Sequence, residues 1–353
     1  MRGETRLELF KRLVKLAVSS DARVASDVLA CIRAAKPDGE TVTMFLNEVR
    51  NTLAPPVAKG AKRGRTSVAI GAASTASRTE RLPELVVVLE SVEFATVPAS
   101  HGLLLGLFDL LATLVELPST AGQTDVSYPG QLILGALARV VENVQPTSGV
   151  TGDSIRMAPV LDFMRSSINP QTYSQSLLLL SQLGPLVPDQ LVHNVMPIFT
   201  FMGANVLQRD DAYSLRVVDQ TLDNIVPALV KAMQKTANGR DGLLAELREL
   251  LRAFTDAAAH VPRHRRINLF TRLVETLGAK QFLSAVAMLL VEKAGNKSSE
   301  AAALPLALVE HFDVATQLSA YQQVVDELQH VVALEPSFLE PAPAAGVVGE
   351  GQA

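Results

Sequence analysis

The chain has no tryptophan, a single cysteine and only four tyrosines in 353 residues, and aromatics make up 5% of it. One cysteine excludes an internal disulfide, a cysteine-based zinc site and an iron–sulfur cluster together. The shortage of rings leaves Leu, Val and Ala to build the core, which suits stacked helices better than a β-sandwich. Positive charge is not in excess either. The formal net charge of −4 argues against a nucleic-acid binder that relies on bulk charge, though a local basic patch stays compatible with it. Long hydrophobic runs are missing. The most apolar stretch, Gly102 to Leu117, is interrupted by Asp109 and Glu116 and is too short to span a bilayer. The first eighteen residues, MRGETRLELFKRLVKLAV, lack the unbroken apolar core of a signal peptide. These absences predict a soluble intracellular protein.

What is present is apolar sequence at helical spacing. With 48% hydrophobic residues, 19% charged and a mean hydropathy of +0.22, the chain can bury a large core, and disorder of the whole is excluded. Two amphipathic helices are written back to back between Pro188 and Val230. Leu191, Val195, Ile198 and Met202 mark one stripe; Leu215, Val218, Leu222, Ile225 and Leu229 mark the next. Pro188 and Asp189 suit a first helical turn, and Gly203 a helix end. The adjacent carboxylates Asp210 and Asp211 suit the N-terminus of the second helix. This reads as a helical hairpin. Further stripes run through Leu7, Phe10, Val14 and Val18; through Leu103, Leu107, Leu110, Leu114 and Leu117; and through Leu134, Leu137, Val141 and Val144. Others follow at Tyr173, Leu177 and Leu180, just after the turn Asn169-Pro170; at Leu243, Leu247, Leu250 and Phe254; at Ile267, Phe270, Val274 and Leu277; and at Phe282, Val286 and Leu289. Cys31, beside Val24, Val28 and Ile32, reads as a buried, inert thiol.

No stretch alternates with a period of two, so strands are not needed. Short connections force sequential helices to pack antiparallel. Helix pairs spaced at about 40 residues without a strong sequence repeat describe an all-α, HEAT- or armadillo-like α-solenoid. The expected organisation is helical repeats over 1–53, a flexible basic loop over 54–79, continuous HEAT-like repeats over 80–335 and a disordered tail over 336–353. The loop carries five basic residues and no acidic one; the tail is rich in Pro, Ala and Gly.

Catalysis has little to stand on. The six histidines lie at 101, 193, 260, 264, 311 and 330 with no paired metal-ligand spacing. His260 and His264 are four apart, but Pro262 between them starts a new helix. Asp210 and Asp211 are better explained as helix caps than as an acid–base pair. There is no nucleophile elbow, Walker loop or dinucleotide fingerprint. The expectation is a protein with no enzymatic reaction, cofactor, metal or small-molecule substrate. Two basic features are candidates for contact with RNA phosphate. Lys59, Lys62, Arg63 and Arg65 stand in the loop. Arg263, Arg265 and Arg266, with His264, would occupy a first helical turn, where positive charge opposes the helix dipole. A neighbouring carboxylate or an RNA phosphate would compensate it.

Two strings go beyond periodicity. The run HNVMPIFTFMGANVLQRDDAYSLRVVDQTLDNIVPAL, from His193 to Leu229, resembles the signature segment of the large HEAT-repeat, U3 small-nucleolar-RNA-associated proteins of the small-subunit processome. RHRRINLFTRLVETLGAKQFL, from Arg263 to Leu283, is similar to that family's next recognisable block. Family members are several times longer, so the resemblance implies an internal fragment of such a protein. It also implies a nucleolar, non-catalytic scaffold of the 90S pre-ribosome that supports pre-rRNA processing and 18S rRNA maturation and is linked to ribosomal DNA transcription. The implied partners are the other subunits of the UtpA subcomplex and of the processome, the 5′ external transcribed spacer and U3 RNA, with no membrane. The competing reading from the residues alone is a HEAT-type transport or signalling adaptor.

Overall fold

The structure is a computed structural model. It describes residues 3–54, 81–117, 126–145, 149–235, 239–295, 299–333 and Phe338. Among them are fifteen α-helices, two 3₁₀ turns and no strand. The chain divides into two compact units, Met1–Gln190 and Leu191–Ala353.

The first unit begins with α1 (Gly3–Ser19), α2 (Ala22–Ala35), α3 (Gly39–Leu53) and α4 (81–91). It continues with α5 (His101–Val115), α6 (Ser127–Glu142), α7 (Ala158–Ser166) and α8 (Pro170–Leu183). Sequential helices pair, as α1 with α2, α5 with α6 and α7 with α8, and each odd helix also packs on the next odd one, from α1 through α3 and α5 to α7. The even row is carried by α6 on α8, with Tyr128 of α6 donating to Glu90 of α4. The second unit holds α9 (Pro188–Asn205) from Leu191 on, α10 (Ala212–Met233), α11 (Gly239–Ala257) and α12 (Arg263–Leu277). It closes with α13 (Ala279–Ala294), α14 (Ser299–Glu310) and α15 (Val314–Val332). Its rows are α10–α12–α14 and α11–α13–α15. Within each unit, rows in which a helix seats on the one two places earlier are the solenoid arrangement that the 40-residue spacing predicts.

Polar links along each row, from one repeat to the next, keep the same interval. Lys11 reaches Glu48 across 37 residues, Gln131 reaches Thr172 across 41, Gln182 reaches Glu142 across 40 and Arg252 reaches Glu292 across 40. A side chain on one repeat therefore meets its partner one repeat later. Three helices start with the same device. Asp38, Asp211 and Asp313 each accept the backbone N–H of a Thr or Ser three residues on, at 2.8, 2.7 and 2.8 Å. Those Thr and Ser residues are themselves buried. Such caps satisfy donors that the first helical turn leaves without partners.

The core is aliphatic, as the composition requires, with Phe10 edge-on to Phe45 at 5.5 Å and Phe199 tilted against Phe254 at 4.9 Å. Most of the expected stripes are buried; Leu117, Val144, Tyr173, Leu215 and Ile267 are half-buried and Val18 is exposed, its place taken by Ala17. Three expectations are corrected. Cys31 is exposed, because α2 buries only Val28 and Ile32 and, among the described residues, packs chiefly on α1. Gly203 does not end its helix. It is buried two residues before the end, where an added Cβ would stand in ordinary contact, 3.4 Å, with that of Ala257, so it marks where α9 meets α11. Finally, α9 and α10 do not pack chiefly on each other as a hairpin; α10 lies on α12 and Phe199 of α9 meets Phe254 of α11. The expected loop over 54–79 and tail over 336–353 fall outside the described residues, apart from Ala54 and Phe338.

Candidate functional site

The four loop cations Lys59, Lys62, Arg63 and Arg65 lie outside the described residues. The second basic run is described. Pro262, extended at φ −52° and ψ 133°, is the cap from which α12 starts, and it sets Arg263, His264, Arg265 and Arg266 on the first turn. Arg263 and His264 are exposed. The Arg265 Nε donates to Asp210 Oδ1 at 2.7 Å with the side chain 17% exposed, and its Nη1 lies 3.3 Å from the Asp211 carbonyl. His264 Nε2 stands 3.3 Å from the same Asp210 oxygen. Arg266 turns back the other way. Its Nε donates to the Val261 carbonyl at 2.9 Å and its Nη2 to that of Ala259 at 3.2 Å. These carbonyls follow the end of α11, a helix C-terminus, where a cation is favourable.

The paired aspartates thus divide their work. Asp211 caps α10. The backbone N–H of Ser214, and then its hydroxyl, hold the Asp211 carboxyl below the usual range. Asp210 compensates the cations of α12. The helix-opening reading of Asp211 holds, and the compensating anion for Arg265 within the fold is Asp210. Beneath this brace Leu215, Val218, Val261 and Leu269 line a void of about 20 Å³, room for roughly one water and no substrate. Among the described residues no group of three His, Cys, Asp or Glu is placed to hold a metal ion, and no helix is long and apolar enough to cross a membrane.

Sequence reasoning missed Asp109. It stands in the otherwise apolar α5 and receives Arg50 of α3 at 2.6 Å and Arg156 at 2.5 Å, tying together three successive segments of the first unit. Its signal was there, a lone carboxylate inside a leucine-rich helix. The Arg272–Asp223 pair, two-pronged at 2.7 and 2.5 Å, links α12 to α10 in the same way.

A family model described as HEATR1-like HEAT repeats matches residues 244–336, which takes in most of α11 and all of α12 to α15. The chain is 35% identical over 342 residues to the U3 small nucleolar RNA-associated protein 10 of Mycosarcoma maydis, covering 92% of this chain and 15% of that protein. It is 33% identical over 315 residues to the protein of that name from Aspergillus niger, covering 87% and 17%. With the one from Coccidioides immitis it is 30% identical over 340 residues, covering 94% and 18%. The chain spans less than a fifth of the length of these curated relatives. Stacked helix pairs at the HEAT interval and this similarity together make the chain a HEAT-repeat α-solenoid that resembles, along about nine-tenths of its own length, one stretch of the U3 small nucleolar RNA-associated protein 10 family.

Proposed function

We propose that the chain acts as a non-catalytic scaffold segment of the nucleolar small-subunit processome, supporting pre-rRNA processing and 18S rRNA maturation, with a link to ribosomal DNA transcription. The observation that carries this reading is the similarity to relatives named for U3 small nucleolar RNA, sustained over 92% of the chain. A stacked-helix architecture supports it, because extended surfaces of this kind bind other macromolecules. The partners are the other subunits of the UtpA subcomplex, U3 RNA and the 5′ external transcribed spacer, and the place is the nucleolus.

RNA contact by this chain is local, since the net charge is −4. Lys59, Lys62, Arg63 and Arg65 supply sequence-independent phosphate contacts. Arg263, Arg265 and Arg266 add positive charge at the start of α12, while Arg265 and Arg266 also brace the fold. Affinity purification of the tagged chain from nucleolar extract tests the reading. U3 RNA and processome subunits are expected, and recovery of transport receptors or their cargo without U3 RNA would reject it. In binding assays, alanine at the four loop cations should weaken unrelated RNAs about equally and flatten the salt dependence. Unchanged binding at low salt would remove the loop from the interface.

A further inference from the structure

The start of α12 and the segment that faces it are strongly positive in a chain whose net charge is −4. Residues 205–216 and 260–266 hold five arginines against two aspartates. One of those aspartates, Asp211, is engaged in the cap of α10. Arg209 and Arg263 are exposed, and Tyr213, on the first turn of α10, is 49% exposed.

The fold alone does not account for Asp210. Its side chain is 54% exposed, and an ion pair in water adds little to stability. Arg265 does not depend on it for position, because its Nη1 also lies 3.3 Å from the Asp211 carbonyl and 3.5 Å from that of Arg209. The start of α10 does not depend on it either, since the two oxygens of Asp211 meet the N–H and hydroxyl of Ser214, each at 2.7 Å. Yet a single oxygen of Asp210, Oδ1, stands 2.7 Å from Arg265 Nε and 3.3 Å from His264 Nε2. An anionic oxygen between a guanidinium and an imidazole occupies the place that such donors give to a phosphate oxygen.

We propose that Asp210 is a built-in stand-in for phosphate, and that single-stranded RNA binds here by displacing it. The proposal rests on the reading above that this chain contacts RNA through the basic run of α12. On binding, the Asp210 carboxylate turns to solvent and a backbone phosphate oxygen takes the place of Oδ1 between Arg265 and His264. Arg209 and Arg263 meet flanking phosphates, and Tyr213 stacks on a base. Tyr213 is what favours RNA over a free phosphate or an acidic peptide, because an exposed ring among cations is the platform on which single strands stack. In the free chain the carboxylate screens the seat. A polyanion that releases several counterions on binding displaces it, and a lone small anion does not.

Fluorescence anisotropy of a labelled oligouridylate tests this, on the whole chain and on the whole chain with Lys59, Lys62, Arg63 and Arg65 changed to alanine, which removes the share of the loop. Asp210→Asn should bind roughly two- to fivefold tighter at low salt. It should also steepen the slope of log affinity against log salt by about 0.7, the share of one more phosphate contact. Its melting point should stay at the wild-type value. Glu275→Gln removes an exposed carboxylate from the last turn of α12 and should change neither reading. Adding Arg265→Gln to Asp210→Asn should cancel the gain, and adding His264→Ala, at an exposed position, should reduce it. Tyr213→Ala should weaken oligouridylate binding and leave that of inorganic polyphosphate unchanged. Equal gains from Asp210→Asn and Glu275→Gln would make the effect one of bulk charge, and a clear fall in the Asp210→Asn melting point would make the carboxylate a structural brace; either overturns the proposal. Tyr213→Ala without effect on either probe overturns the assignment to RNA. Wild-type binding with no gain in Asp210→Asn overturns the stand-in alone, whereas no binding by any variant overturns the RNA reading with it.

Discussion

At the scale of single residues, the spacing of apolar side chains says which positions face inward only if the width of the covering neighbour is known. Cys31 shows the difference, since it neighbours Val28 and Ile32 along α2 yet stands in solvent. Its thiol should therefore react fully with a disulfide reagent in the folded chain, at the rate of an unprotected cysteine; reaction only after denaturant would put it back in the core. The cap aspartates make a pH prediction. Asp211 is held below the usual carboxylate range by the Ser214 N–H and hydroxyl, Asp313 likewise by Thr316, and Asp38 by the Thr41 hydroxyl and N–H. A carboxylate with a lowered folded pKa contributes stability that is complete above its unfolded value, near 3.9, and is lost as pH falls through the lower folded value. Asparagine caps a helix about as well but does not titrate. Asp211→Asn should thus be no more stable than wild type at neutral pH and should gain on it in thermal melts as pH drops below about 4. Asp211→Ala should melt lower at neutral pH, with the Ser214 N–H left without its acceptor.

At the scale of the element, close approach and burial set the costs. Gly130 of α6 lies under Phe163 of α7, and an added Cβ would stand 2.1 Å from that ring. The ring is buried and cannot swing clear cheaply, so Gly130→Ala should cost about 1–3 kcal/mol, as overpacking does. Gly203→Ala meets only ordinary contact with Ala257 and serves as the tolerated comparison in the same denaturant titration. Leu222, fully buried in α10, should lose on the order of 2–5 kcal/mol on truncation to alanine. An unchanged denaturation midpoint would mean that α10 presents a different face to α12.

At the scale of the whole molecule, a stack of helices couples mainly through nearest neighbours. In the second unit α10 packs on α12, and α12 on α13 and α14, whereas α15 meets only α13 among the main contacts. Hydrogen exchange on Leu222→Ala should accordingly show a gradient, with protection lost most in α10 and α12, less in α14 and least in α15. Uniform loss across all of these helices would mean that the unit unfolds as one block.

The helices themselves were legible from the sequence. Their stripes follow from the 3.6-residue period, their starts from Asp or Asn caps and prolines such as Pro170 and Pro188, and their pairing from short connections. The repeat interval was legible too, and the polar links at 37 to 41 residues restate it in side chains. The basic run at Arg263 was recognisable as a site of electrostatic conflict, because a cation at a helix start needs an anion or a carbonyl. Only tertiary structure supplied the answers, in Asp210 from the segment between α9 and α10 for Arg265 and the carbonyls beyond α11 for Arg266. The Asp109 hub, the contact of Gly203 with Ala257 and the exposure of the α15 stripe through Leu318, Tyr321, Val325 and Leu328 among the described residues were decided at the same level. The physical reason is common to all four. Local sequence fixes which groups share a face of a helix, but whether a face meets a helix, a charge or water depends on neighbours tens of residues away along the chain.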